Sequence, residues 1–595
     1  MQEELLQVEQ LIIEDNPKKA LELVKTISKR EGLSTEDKIA CTLLESRIYF
    51  HLGEREKALN IAEKIWPTIR NLENLLFILD YLIFKTNALW IMGELDNGIK
   101  IVEEHLDLIA ELQPKVPKDK EESSKLKTSK FLRNVGILYW YKGDLENSLE
   151  YHTQSLASGE EINDKSSIGD SYNNIGLVYW SKSDMDRSIE YYQRALTIFE
   201  ELGMNQKVAG ILSNLGNAYT MKGDLDKALE LQQRSLKIKK KYSDKIATAI
   251  SVINVGVVFQ LKGELDQALD YYQKGLLQSE EIDSKSNIAL ALNNIGNIYG
   301  LKCDPDSAIE YYERSLKLYK EFGIKEKIAL LLVNIGSNCR EKGNIKEAIE
   351  NFNQSIVIYD ELGNTMGSAI VLLELVQEAL DQNDQDLVQE YLNKLQQINK
   401  SANIRSIDQR FRLAKALSLK VSDQPRNKTK AIVMFEQIIE EEIIDHSLTV
   451  KAMVHLCDML IKELKQTAEI ELLEEIKNLL QKLQNIAEEQ SSNSILTEIY
   501  RLEALLALAE LDLKETRQLL QKGLALAEEN SLESIASNIR DEQNELEEQI
   551  KVWEELQERK APLKETLQYV KIEESMKQLQ HEETVTSRKL FSLKI

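Results

Sequence analysis

Few residues in this chain stand at spacings that catalysis or metal binding requires. His446, His455 and Cys457 lie near one another in sequence. Two positions on a helix are turned about 200° apart, so His455 and Cys457 would not face one ion. There is no Gly-x-x-x-x-Gly-Lys-Ser/Thr loop, no Gly-x-Gly-x-x-Gly after a strand and no His-Glu-x-x-His. No catalytic residue, no metal ligand and no cofactor is expected. The chemistry that does recur is hydrogen bonding by amides. Asn134, Asn174, Asn214, Asn254, Asn294 and Asn334 return every forty residues, each followed by an apolar residue and a glycine. Asn217 and Asn297 stand three residues beyond two of them. An amide side chain offers two donors and an acceptor, which suits the backbone of a bound peptide whatever its sequence.

The elements that must position these amides follow from the columns around them. Gly136, Gly176, Gly216, Gly256, Gly296 and Gly336 keep the step, as do Tyr139, Tyr179, Tyr219, Phe259 and Tyr299. Ala228, Ala268, Ala308 and Ala348, with Ser148 and Ser188 ahead of them, keep it too. A period of this length marks a repeat architecture. Each repeat reads as two helices, with Lys222-Gly223-Asp224 as a model turn. Gly223 ends one helix in a left-handed cap and Asp224 caps the next. The small columns belong where the two helices cross, since mid-helix glycine costs up to about 1 kcal/mol and its return implies a packing need. One member of each of the pairs Tyr191–Tyr192, Tyr271–Tyr272 and Tyr311–Tyr312 fills the core, and His152 occupies the same column.

On a helical wheel Lys130, Asn134, Ile137 and Tyr141 share one face, and Leu132, Gly136 and Tyr139 the other. The asparagines therefore point away from the core of the pair and would line a groove. Their neighbours are polar or mixed early (Lys130, Arg133, Asp170, Asn173, Ser213, Asn217) and apolar later (Ile250, Val257, Leu261, Leu290, Leu301, Leu330). A peptide or amphipathic helix with apolar anchors would match. The competing reading is that the amides bond one another or neighbouring helices and only fix the array.

The Asn-Leu-Gly, Tyr, Gly-Asp, Ala and aromatic columns resemble the tetratricopeptide repeat (TPR) family in its forty-residue form. Ser213-Asn214-Leu215-Gly216-Asn217-Ala218-Tyr219 looks like the Leu-Gly-Asn-rich scaffold that tethers G proteins. The pairs Asn173-Asn174 and Asn293-Asn294 are similar to kinesin light chain, and the peptide-sensing TPR regulators of bacteria are a third likeness. The resemblance implies an all-α fold, a right-handed superhelix (α-solenoid) of stacked antiparallel helix pairs. It also implies that the asparagine column contacts bound peptide.

The expected organisation is degenerate repeats over 1–112, an insertion or hinge at 113–127, the regular array over 128–398, degenerate helical repeats over 399–552 and a C-terminal tail over 553–595. The forty-residue register slips by ten between Gly93 and Gly143, and Pro114 and Pro117 stand in the gap, which predicts a surface loop. A formal charge of −24 argues against nucleic acid and favours a basic partner. Four scattered cysteines (Cys41, Cys303, Cys339, Cys457) fit a reducing compartment. The acidic start is unlike a signal peptide, and Leu75 to Phe84, interrupted by Asp80, is read as too short to cross a bilayer. The expectation is a cytoplasmic, non-catalytic scaffold that binds a protein or peptide and no membrane. The alternative is a ligand-responsive regulator that switches affinity for a second protein.

Overall fold

The computed structural model describes residues 2–13, 16–242, 244–302, 304–402, 404–443, 445–490, 492–530 and 532–593. Cys303 and the last two positions, Lys594 and Ile595, lie outside the described residues. Among those residues thirty α-helices and no strand occur, and the chain divides into two compact units, 1–278 and 279–595.

Unit 1 opens with α1 (Gln2–Ile13) and α2 (Pro17–Ser28), α3 (Thr35–His51) and α4 (Arg55–Leu72), then α5 (Leu75–Met92) and α6 (Leu95–Leu112). The array continues with α7 (Glu121–Lys142) and α8 (Leu145–Glu161), α9 (Lys165–Ser181) and α10 (Met185–Glu201). It goes on through α11 (Asn205–Lys222) and α12 (Leu225–Lys241), then α13 (Lys245–Leu261) and α14 (Leu265–Glu281), whose end crosses into unit 2. Consecutive helices pack as pairs, and each pair packs on the next.

Unit 2 repeats this plan. Its pairs are α15 (Lys285–Leu301) with α16 (Pro305–Phe322), α17 (Lys325–Glu341) with α18 (Ile345–Glu361), and α19 (Thr365–Asp381) with α20 (Gln385–Ala402). Next come α21 (Arg405–Lys420) with α22 (Pro425–Glu440), α23 (His446–Thr467) with α24 (Ile470–Glu489), and α25 (Asn493–Ala509) with α26 (Leu513–Glu529). The chain then runs through α27 (Glu533–Glu548), α28 (Ile550–Glu558), α29 (Leu563–Thr566) and α30 (Ile572–Leu593).

The turn chemistry acts as its residue types dictate. Gly223 sits at φ 86°, and the Asp224 side chain accepts the backbone N–H of Lys227. Where the glycine is missing, Asn383 takes the left-handed conformation instead. The glycine column packs under the large column of the second helix. A Cβ on Gly136 would lie 2.6 Å from the His152 ring, one on Gly176 2.8 Å from Tyr192, and one on Gly256 2.7 Å from Tyr272. Ser148 and Ser188 donate to the carbonyls of Gly136 and Gly176. Their hydroxyls thereby tie the crossing that alanine fills in later repeats. The first tyrosine of each pair stacks one layer out, Tyr191 on Tyr179, Tyr271 on Phe259 and Tyr311 on Tyr299.

Two of the expected boundaries need correction. Residues 121–127, assigned to the insertion, are the first turns of α7, and the loop is confined to two short 3-10 turns, Gln113–Lys115 and Lys118–Lys120. Buried Ser124 lies 3.3 Å from the Gln113 side chain, and Lys127 pairs with Asp80 of α5, so the segment is pinned. Pro425 is the first residue of α22, where a missing N–H costs nothing. Gln549 separates α27 from α28. The tail drawn from 553 begins inside α28, and Trp553, Leu567, Ile572, Met576 and Leu579 are all buried in the core of unit 2. Sparse apolar residues hid this, because the few present fall on one stripe.

One described helix, α5, is long and apolar enough by length to cross a membrane, which corrects the reading of that stretch as too short. Half of it is buried in unit 1, and Asp80 in its second turn pairs with Lys127 of α7.

Candidate functional site

The first helix of each pair carries the forty-residue asparagine column on the face turned away from its partner, whereas Asn217 and Asn297, expected on the same face, bond the second helix of their own pair. In unit 1 the amides reach sideways to the preceding first helix. Asn134 Nδ2 donates to the Ile83 carbonyl of α5 at 3.1 Å and reaches Thr86 Oγ1 at 3.4 Å. Asn214 Nδ2 donates to Asn173 Oδ1 of α9 at 2.9 Å, and Asn254 Nδ2 to Ser213 Oγ of α11 at 3.3 Å. Asn173 Nδ2 in turn donates to Asn174 Oδ1 at 3.2 Å. At Asn134, Asn214 and Asn254 these bonds stitch one repeat to the one before, which gives their forty-residue return a structural ground; the Asn174 amide bonds within its own helix. Asn174, Asn214 and Asn254 remain half-buried, Asn217 is exposed, and Asn134 is 9% exposed. Asn217 Oδ1 accepts from Gln232 Nε2 at 2.7 Å.

In unit 2 the same column is covered. Asn294, Asn297 and Asn334 are buried, as is Leu330 at 5% exposure, which removes Leu330 from the expected oily groove. Asn294 Oδ1 accepts from Asn293, Asn297 Oδ1 accepts the Tyr312 hydroxyl at 2.8 Å, and the Asn334 carbonyl accepts from Asn338. The ladder is therefore half open at Asn174, Asn214 and Asn254 and closed at Asn134, Asn294 and Asn334.

Charged residues flank the unit 1 amides. Asp170 on α9 is held between Arg133 of α7 at 2.6 Å and Lys207 of α11 at 2.7 Å. The tryptophans were missed by sequence reasoning. Trp90 stacks on Tyr141 at 5.4 Å, Trp140 meets Tyr141 edge-on at 4.8 Å, and Trp140 Nε1 donates to Ser181 Oγ at 2.7 Å. Trp180 Nε1 has no partner among the described residues. Tyr141 is 52% exposed and Met221 56%, so the amide column runs beside an open aromatic and thioether rim. The signal was present: Trp140 and Trp180 are one period apart, and Trp90 fits once the ten-residue slip is allowed.

The residues that could have suggested a metal site do packing work. The His455 ring stacks on Phe435, its Nδ1 accepts from Lys420 Nζ at 3.0 Å, and burial with nearby lysines holds its pKa well below the ordinary value. Cys457 is buried, and burial pushes its thiol up to about 12. His152 is buried under Gly136, and burial holds its pKa down at about 3.

A face of parallel first helices that presents amides, ion pairs and aromatic edges suits a polypeptide partner. It brings no nucleophile, base and acid together. The sequence profile described as Tetratricopeptide repeat matches residues 127–201, 167–241, 207–276 and 245–321. Residues 127–321 are thus an array of tetratricopeptide repeats, a fold that generally serves as a non-catalytic scaffold for protein interaction. Comparison with curated proteins finds no match.

Among solved structures, the chain is similar to a Rap protein complexed with Competence and Sporulation Factor, at 15% identity over 63% of this chain and 100% of that one, TM-score 0.42. The apo form of the quorum sensor NprR from B. thuringiensis matches at 18% identity over 61% and 99%, TM-score 0.44. A putative kinesin light chain from Podosopora anserina matches at 15% over 32% and 94%, TM-score 0.28. At these TM-scores none of the three informs what this chain binds.

Proposed function

We propose that this chain is a non-catalytic interaction scaffold whose unit 1 binds an extended peptide or a helix of a partner protein across α7, α9, α11 and α13. The reading is carried by one observation. The amides of Asn174, Asn214 and Asn254 are half open and fixed by a bond to a neighbouring side chain, with hydrogen-bonding capacity to spare. Groups fixed before binding lose little entropy when a ligand arrives. The polar stretch around Arg133, Asp170 and Asn217 orients the ligand, and the rim at Tyr141 and Met221 takes apolar anchors. The net charge of −24 favours a basic partner. The placement in the cytoplasm rests on the cysteine usage.

Because Asn214 and Asn254 also stitch repeats, the test must separate binding from stability. A random peptide library selected on the whole chain supplies the ligand. Asn254→Ala and Ser213→Ala break the same inter-helix bond from opposite ends, and buried Ser213 offers a ligand little. Asn254→Ala should weaken the selected peptide by about tenfold, at about 1 kcal/mol per amide contact, while Ser213→Ala leaves it within about twofold. Equal affinities for both variants and the parent would reduce the ladder to a structural device.

A further inference from the structure

Within unit 2 the inner face, which the first helices would otherwise leave open, is filled by the chain's own last helix. α30 packs chiefly on α23 and α25 and makes a small contact with α15, each the first helix of its pair. Thr566 Oγ1 donates to the Ala509 carbonyl at the end of α25, and Glu582 lies within electrostatic reach of Glu498 near its start. The helix therefore runs antiparallel along α25 and reaches across unit 2 to α15. An end cap of a repeat array covers the last unit; α30 instead spans from the last pairs to the first.

The seat has the make-up of an exchangeable interface. Ile572, Met576 and Leu579, at i, i+4 and i+7, form one buried stripe, whereas Glu573, Glu574, Lys577 and Gln578 are exposed. Beneath the helix Arg501 pairs with Glu498 at 3.2 Å and Glu542 at 2.8 Å. Ser575 Oγ and Glu542 Oε2 are buried with no partner among the described residues. Buried charge and unmet polar atoms add little net stability compared with an apolar core. The preceding turn is exposed at Gln568 and Tyr569. A short tether holds such a helix at an effective concentration of about a millimolar, so modest intrinsic affinity keeps it seated.

We propose that the inner face of α23 and α25 is a second, helix-binding site, occupied in the free chain by α30. Its partner is an amphipathic helix that presents aliphatic or thioether side chains at i, i+4 and i+7 and takes the seat by displacing α30. This inference concerns unit 2 alone and stands or falls independently of the asparagine face of unit 1.

The probe is a labelled synthetic peptide of residues 568–595. It should bind the full chain carrying Met576→Asp and Leu579→Asp at least about tenfold more tightly than it binds the parent, whose seat is filled by a tethered competitor. The same peptide with Met576→Asp should bind neither. Equal binding of the parent peptide to both chains, with helix content unchanged, overturns the proposal. If the double variant fails to fold, a protease site placed at Gln568–Tyr569 in the parent gives the second measurement. After cleavage, excess labelled peptide should replace the nicked α30 while the rest stays folded. A nicked segment that leaves only on global unfolding would make α30 an integral core helix and overturn the proposal.

Discussion

At the scale of single residues, the crossing glycines differ in what opposes them, and this ranks their substitutions. A Cβ on Gly216 would meet the Gln232 side chain at 2.7 Å, a flexible neighbour that can turn aside. One on Gly256 would meet the Tyr272 ring and also the Ala268 carbonyl at 3.3 Å. Gly256→Ala should therefore cost about 1–3 kcal/mol by overpacking, and Gly216→Ala less than half of that, read from thermal melts. A reversed order would refute the assigned crossing. His152 supplies a pH signature. Its pKa of about 3 against an ordinary 6.5 means the fold binds fewer protons than the unfolded chain between those values. Stability is then complete above about 6.5 and falls as pH drops toward 3, by at most about 1.4 kcal/mol per unit. His152→Gln, which borrows the residue found at the same column in Gln232, should fold and flatten that slope. An unchanged slope would assign the acid loss elsewhere.

At the scale of elements, the helix pairs and their turns were legible because the forty-residue period places glycine, aspartate and the large core column at fixed offsets. The role of the asparagines was half legible. The wheel put them off the core of their own pair, but it could not show that Asn214 reaches Asn173 of the preceding repeat, since contacts between repeats depend on how pairs stack. The 113–127 segment was misread for a related reason. Two prolines marked the turns, while the extra turn at the start of α7 that follows is held by packing on α5. Lys115, Lys118 and Lys120 are nonetheless exposed. Limited trypsin digestion should cut unit 1 first at one of them, because regular helix protects the array. The two fragments should then co-elute through the α5–α7 contact. A first cut at Lys222 or Lys262, or fragments that separate, would contradict this picture.

At the scale of the whole molecule, a single repeat plan carries two inner faces in different states. In unit 1 the amides of Asn174, Asn214 and Asn254 are half open between ion pairs and an aromatic rim; in unit 2 Asn294 and Asn334 are buried, and α30 occupies the face beside α23 and α25. That contrast was beyond the sequence, because Ile572, Met576 and Leu579 stand in a charged stretch and nothing local says which helices they meet. The central claim is that the first-helix face of unit 1 is the surface a partner occupies. Hydrogen–deuterium exchange of the full chain saturated with the selected peptide tests it most directly. The account predicts slowed exchange in α9, α11 and α13, centred on Asn174, Asn214 and Asn254, with α10 and α12 unchanged. Protection confined to α10, α12 and the outer surface, with the asparagine helices unaffected, would contradict it.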